Sequence, residues 1–318
     1  MSEFTHQPVM AREVVELMTP VPAGLIVDGT VGAGGHASRI LDARPDLRLL
    51  GIDRDGDAVA AARERLHPYG ERARVVRGGY QDIAAIVAAE REGNVMGVLF
   101  DLGVSSPQLD RAARGFSYLA DAPLDMRMDT RQELTGAIVV NEYDEHRLAD
   151  IIATYGEERH ARRIAAQIVA RRPIETTGQL VDAITSALPG RARRGATHPA
   201  RRTFQAIRME VNRELPNLAE GLDESVYLLA PEGRMLVLAY HSLEDRLVKE
   251  RFRTWSATAE PAVPGLPAEP APRSALVRVL TRRALRPTAD EVAANPRARS
   301  VRLRAVAKLR GNGRPRAS

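Results

Sequence analysis

The apolar positions in the first third of the chain fall into short runs separated by longer, helix-like stretches. Leu25–Asp28, Leu47–Ile52, Ala73–Arg77 and Val95–Asp101 have the length and composition of strands. Between the second and third lies Gly56–Leu66, rich in alanine and long straight side chains, which favour helix. Gln81–Arg91 reads the same way. Alternating strand and helix predicts a parallel sheet with helices on both faces, an α/β fold.

The alternation stops after Asp101. Leu102–Thr130 is rich in Gly, Pro, Ser and Asp and reads as a structured loop. Ala137–Val140, Arg147–Tyr155, Glu157–Arg171 and Gly178–Leu188 read as helices, the last with Thr176 or Thr177 as its cap. Phe204, Ile207, Val211 and Leu215 then recur at helical spacing, and Leu218, Leu222, Val226 and Leu229 form a second stripe after Pro216. Met235–Tyr240 is a fifth strand, residues 256–273 form a proline-rich loop, and Val277–Thr281 with Val301–Leu309 suit a closing antiparallel pair. The expected organisation is a discontinuous core, 1–110 with 199–318, and a mainly helical insertion over 111–198.

The first strand runs into Asp28-Gly-Thr-Val-Gly-Ala-Gly-Gly-His36, and the second ends in Gly51-Ile-Asp-Arg-Asp55. A strand, a glycine-rich turn, a helix and a second strand with a terminal acid form half of a nucleotide-binding fold. Asp53 is placed to accept hydrogen bonds from ribose hydroxyls. Gly32, Gly34 and Ala37 also satisfy the dinucleotide pattern, so a nicotinamide enzyme stays open as an alternative. Asp28 and Asp101 weigh against it: carboxylates beside the glycine turn repel a pyrophosphate and suit a positively charged ligand. Asp101-Leu-Gly-Val-Ser-Ser-Pro-Gln-Leu-Asp110 and Ala239-Tyr-His-Ser-Leu-Glu-Asp-Arg246 follow the fourth and fifth strands. Both belong at the carboxyl edge, where open α/β sheets bind ligands.

Composition narrows the chemistry. The chain has no cysteine, which excludes disulfides, thiolate metal sites and cysteine nucleophiles. The histidines are scattered, without metal-ligand spacing, and no metal is expected. There is no run of about 18 apolar residues for a membrane span. The first residues have neither a basic nor an apolar leader region, so a cytoplasmic protein is expected. The net charge is +5, and only Lys249 and Lys308 are lysines. Arginines gather at Arg191, Arg193, Arg194, Arg201 and Arg202, and again after Glu291, the last acidic residue. A solvated basic face and a phosphate-tracking surface both fit that pattern.

The motifs together resemble one family. They are His6-Gln-Pro-Val9 with Glu13, Asp28–His36, Gly51–Asp55, Asp101–Asp110, Arg114-Gly-Phe-Ser117 and Pro123–Asp129. They continue with Tyr155–Arg159, His198-Pro-Ala200 with Arg202–Ala206, His241–Arg246 and Asn295–Ser300. The chain resembles the bacterial 16S rRNA cytosine-N4 methyltransferases over essentially its whole length. The resemblance implies a class I, Rossmann-like methyltransferase core with a helical RNA-recognition insertion. It implies S-adenosylmethionine as cofactor, S-adenosylhomocysteine as product, and 16S rRNA in the small ribosomal subunit as partner. The oligomeric state stays open, a dimer included.

Carried over by motif, the cofactor contacts are Gly34, Gly35, His36, Asp53, Tyr80, Asp101 and Gln108. Tyr80 and Tyr240 stand where the family more often has phenylalanine, and Ala239 and Arg201 also depart from its pattern. The candidates at the reaction centre for accepting the amino proton are Asp101 and the Ser105-Ser106-Pro107 backbone, with His241 in reserve. A protein that keeps the fold only to bind the cofactor during ribosome assembly is the other alternative, and the three intact aspartates argue against it.

Overall fold

A computed structural model describes residues 8–90, 93–103, 114–190, 198–258 and 274–310. The chain divides into two units, residues 1–103 with 216–318, and residues 104–215.

The first unit is built on a seven-stranded sheet in the order β3-β2-β1-β4-β5-β7-β6. The strands are β1 Leu25–Asp28, β2 Arg48–Asp53, β3 Ala73–Arg77, β4 Val95–Asp101, β5 Leu229–Ala239, β6 Val277–Val279 and β7 Arg302–Lys308. The first five are parallel; β7 runs antiparallel to β5 and to β6. All four residues of β1 are buried, as expected of a strand flanked on both edges and covered on both faces.

Alternate residues feed two separate cores. Ile26, Leu49, Leu99, Leu236 and Leu303 pack on one face against α1 (Ala11–Met18), α2 (Gly35–Ala43) and α3 (Gly56–Leu66). Val27, Leu50, Val98, Phe100, Val237 and Val306 pack on the other. There they meet α4 (Ile83–Glu90), the later turns of Glu214–Leu228, and the helix Ser242–Ser256, which contributes Val248, Phe252 and Trp255.

Two features depart from the sequence pattern. The helix α1 is two turns long, and its buried Val14 and Met18 are too few to establish a period. Strand β5 begins at Leu229 rather than Met235. Pro231-Glu-Gly reads as a turn; here the pairing with β4 slips between Val95 and Gly97, and the strand continues through the irregularity.

The second unit is helical. It contains α5 Gly136–Glu142, α6 Glu145–Gly156, α7 Ala161–Ala170, α8 Thr177–Ala187 and α9 Arg201–Val211. Thr135, Asp144 and Thr176 cap three of them, accepting from the backbone N–H of Ile138, Arg147 and Gln179. Glu157 adopts the left-handed conformation that ends α6, so the next helix starts at Ala161 and not at Glu157.

The unit runs from 104 to 215, wider than the expected insertion of 111–198. Phe204, Ile207 and Val211 pack with Leu148, Ile152 and Ile164, inside the helical cluster. The apolar stripe of this helix was legible, but a period identifies a face and not the partner that covers it. The final helix of this series, α10 Glu214–Leu228, carries the chain back, and α11 is Ser242–Ser256.

Candidate active site

The strand order places three acids side by side. Asp53, Asp28 and Asp101 end β2, β1 and β4, neighbouring strands of the sheet. Asp28 is level with Gly51 and Leu99, and Asp101 with Leu238, so all three stand at the carboxyl edge. Tyr240 follows β5 at the same edge.

The glycine turn is held from within. Thr30 N–H donates to the Asp28 carboxylate at 3.1 Å, and Gly32 N–H donates to Asp53 Oδ2 at 2.9 Å. Asp55 N–H donates to the other Asp53 oxygen at 2.9 Å. Gly34 N–H donates to Val31 carbonyl at 2.7 Å. Gly32 (φ 52°) and Gly34 (φ 78°) occupy the left-handed region, which an L side chain resists by about 1–2 kcal/mol. Gly34 caps α2 without a side chain, so the N–H groups of Gly35, His36 and Ala37 have no intrahelical partner. Asp53, expected on a ribose, therefore also braces the loop. Each of its oxygens keeps a further lone pair for an incoming hydroxyl.

Burial dominates the electrostatics. Asp28 is only 2% exposed. Burial pushes its pKa up to about 7; His36 and the Thr30 N–H oppose the rise, and Asp101 and Asp53 add to it. Asp53 is also raised by burial, against its two backbone donors and Arg54. One buried carboxylate, Asp28, flanked by the half-buried Asp53 and Asp101, is poised for positive charge.

His36 points back from the first turn of α2, 6% exposed, with Nε2 3.5 Å from Asp101 Oδ2. Neither ring nitrogen has a hydrogen-bond partner among the described residues, nor has Asp101 Oδ1. Thr30 Oγ1 accepts from Asp101 N–H at 2.6 Å and fixes the backbone of that strand end. Tyr240 faces the same carboxylate. Burial, with Asp101 next, holds its phenol well above the ordinary value. The sequence reading missed both Thr30 and Tyr240 as neighbours of Asp101; Thr30 is a small hydroxyl in the Asp-Gly-Thr turn, and that was its signal.

Tyr80 is buried, edge-on to Phe100 with centroids 5.5 Å apart, and the Arg54 guanidinium lies 5.7 Å from its ring centroid. Gly29 makes this packing possible, since a Cβ there would lie 2.5 Å from Phe100 Cε1.

His241 is the N-cap of α11. Its Nδ1 accepts from Glu244 N–H at 3.4 Å, and Glu244 Oε2 accepts from Tyr240 and His241 N–H. A lone pair committed to a helix end is poorly available as a base. Ser105, Ser106, Pro107 and Gln108 lie outside the described residues, as do Arg191, Arg193 and Arg194.

Part of the basic carboxyl-terminal run is used internally. Arg302 and Arg304 each reach Asp245 at 2.7 Å, and Arg310 reaches Glu232 at 2.7 Å. Lys308 is buried and donates to Val226 carbonyl at 2.8 Å.

The sequence profile of the MraW methylase family matches residues 3–309. The chain belongs to that family. Its cofactor is S-adenosylmethionine, and the first unit is a class I, Rossmann-like methyltransferase core. Several curated relatives carry the name ribosomal RNA small subunit methyltransferase H. That of Thermobifida fusca is 51% identical over 311 residues, covering 96% of this chain and 94% of its own. That of Geobacter sulfurreducens is 50% identical, covering 96% and 99%. The protein from Symbiobacterium thermophilum is 49% identical, covering 96% and 97%. Among the described residues, no helix of this family member is long and apolar enough to cross a membrane.

Proposed function

We propose that this chain methylates the N4 amino group of a cytidine in the decoding region of 16S rRNA. The substrate is the small ribosomal subunit, and the work is done in the cytoplasm. The observation that carries the reading is near-full-length identity of about half to relatives named as small-subunit rRNA methyltransferases. The geometry supports it: a row of three carboxylates, Asp28 among them buried, and a braced glycine turn fit a cationic, ribose-bearing donor.

When bound, S-adenosylmethionine supplies an electrophilic methyl group on a positively charged sulfur. The chain's own groups hold and orient it. The N–H groups of Gly35 and His36, which have no partner within their own helix, suit the donor's carboxylate, as helix N-termini suit anions. Asp53 suits the ribose and Tyr80 the adenine. Asp28 and Asp101 offset positive charge, and Gln108 completes the set.

A cytosine amino nitrogen is a weak nucleophile, because its lone pair is delocalised into the ring. Positioning it in line with the methyl carries most of the rate. Asp101, whose Oδ1 has no partner among the described residues, accepts the amino proton. The Ser105-Ser106-Pro107 backbone is the other candidate acceptor near the amino hydrogens. The absence of cysteine fits this target, since methylation of the ring carbon usually needs a covalent cysteine adduct. The base must leave its stack to be reached, at a cost of a few kcal/mol that looped RNA lowers. We assign RNA recognition to the helical unit and to the arginines at 191–202.

The test is transfer of labelled methyl to purified small subunits, followed by mass mapping of the product nucleoside. N4-methylcytidine is the expected product. A methyl group on the ring carbon, on ribose or on another base would overturn the proposal.

A further inference from the structure

We infer that His36 is a positioning residue for Asp101, its ring N–H aiming and electrically offsetting the carboxylate that receives the amino proton. The inference rests on the methyl-transfer reading above and adds a function for a side chain whose ring that reading leaves unused. A buried imidazole with neither nitrogen partnered among the described residues carries an uncompensated desolvation cost. Such a group calls for an explanation, and a catalytic setting is one of the few available.

Its Nε2 lies 3.5 Å from Asp101 Oδ2. That exceeds an ideal charge-assisted bond, as is common for catalytic pairs before the substrate closes the site. The surroundings explain why Asp101 needs such a neighbour. Asp28 from β1 and Asp53 from β2 bring like charge to the same edge. Tyr240, after β5, faces Asp101 with a neutral phenol and itself feels Glu244 and Glu291. Of these groups His36 alone can carry a positive charge.

The step balances simply. A bond forms between the amino nitrogen and the methyl carbon, and the sulfur–methyl bond breaks with its electron pair left on sulfur. One amino N–H bond breaks, its electron pair stays on nitrogen, and its proton moves to Asp101. His36 neither gains nor loses a proton; it fixes where the accepting oxygen points.

The experiment compares wild-type enzyme with His36→Gln and with the double variant His36→Gln/Asp101→Asn. Wild-type transfer to small subunits is measured first, and its absence would count against the broader reading and not against this one. For His36→Gln, kcat is expected to fall by at least about 10-fold, less than the ~10²–10⁴-fold of a direct acid–base group. The acidic limb of its pH–kcat profile should move upward. Calorimetric affinity for S-adenosylhomocysteine should stay within about 3-fold, and the His36 change should cost little once Asp101 is already Asn. Wild-type kcat with an unmoved profile overturns the inference. So does a loss of S-adenosylhomocysteine affinity with kcat intact at saturating donor, which would make His36 a cofactor clamp. Should the variants not fold, the ring tautomer in the wild-type protein decides by nitrogen NMR: a proton on Nε2 supports the inference, and one on Nδ1 alone overturns it.

Discussion

Asp28→Asn should make the protein more stable and less able to bind its donor, and the two effects should separate with pH. The side chains are nearly isosteric, and Asn can still accept the Thr30 N–H that now reaches the carboxylate at 3.1 Å. What changes is charge. Burial raises Asp28 from 3.8 to about 7, so the folded protein holds this proton across a window where the unfolded chain has released it. The stability linked to that proton is complete below about pH 4 and is lost as pH rises through 7. A shift of that size corresponds to roughly 4 kcal/mol, at about 1.4 kcal/mol per unit, and local relaxation makes this an upper bound.

Urea unfolding of wild type and Asp28→Asn at pH 5 and pH 8 measures it. The variant should gain at least about 1 kcal/mol at pH 8 and much less at pH 5. The same variant should lose S-adenosylmethionine affinity at pH 8, because the carboxylate that offsets the donor's charge is gone. Parallel pH dependence in the two proteins, or a variant less stable at pH 8, would show that the ionised carboxylate is well solvated or paired, and the electrostatic account of the site would fail.

Gly29→Ala should cost about 1–3 kcal/mol in urea unfolding, because the new Cβ would lie 2.5 Å from Phe100 Cε1 and 3.2 Å from Tyr80 Cβ. Asp53→Ala should weaken S-adenosylhomocysteine binding by calorimetry by about 10²-fold, since it removes the brace on Gly32 and, in the proposed reading, a ribose acceptor. Asp245→Ala should destabilise by about 2–3 kcal/mol, discounted from the loss of a fully buried pair because Arg302 is 36% exposed. Burial pushes Asp245 up, but Arg304 and Arg302 win and hold it below its usual range. Its contribution is therefore present above pH 3.8 and should fade as pH falls further, which acid unfolding of wild type and Asp245→Ala will read.

The first four strands were legible because each is a short apolar run closed by a turn or an acid, and their register then follows from a parallel sheet. The acids at strand ends were legible for the same reason. Partners were not. The stripe Phe204–Ile207–Val211 is equally apolar whether it meets a sheet or another helix, and it meets helices. His241 lies at the expected edge, but a side chain that caps its own helix looks identical in sequence to one that faces substrate. The arginines after Glu291 share this ambiguity: Arg304 on β7 turns to a buried carboxylate brought from 59 positions away. Local patterns report period and chemistry, whereas these outcomes depend on which long-range neighbour arrives.

The glycine turn shows how geometry decides between two ligands that one motif allows. A dinucleotide site needs backbone N–H groups turned toward a pyrophosphate. Here the N–H of Thr30 and that of Gly32 are already turned onto Asp28 and Asp53, and those of Gly29, Val31 and Gly34 onto carbonyls. A pyrophosphate entering this turn would displace two carboxylates and then sit against them. Two unit charges 4 Å apart repel by about 4 kcal/mol at an effective dielectric of 20, so each buried acid left ionised would cost several kcal/mol. Burial raises Asp53 as it does Asp28, but a proton on Asp53 would weaken the two backbone hydrogen bonds its carboxylate accepts and loosen the turn. A positively charged donor reverses the sign of every one of these interactions. In the proposed reading its ribose takes the lone pairs Asp53 has left, and its amino-acid end takes the N–H groups at the start of α2. Measured side by side by thermal shift, S-adenosylmethionine should raise the melting temperature and NAD should not. Stabilisation by NAD alone would mean that the turn reopens, and with it the case for methyl transfer at this edge.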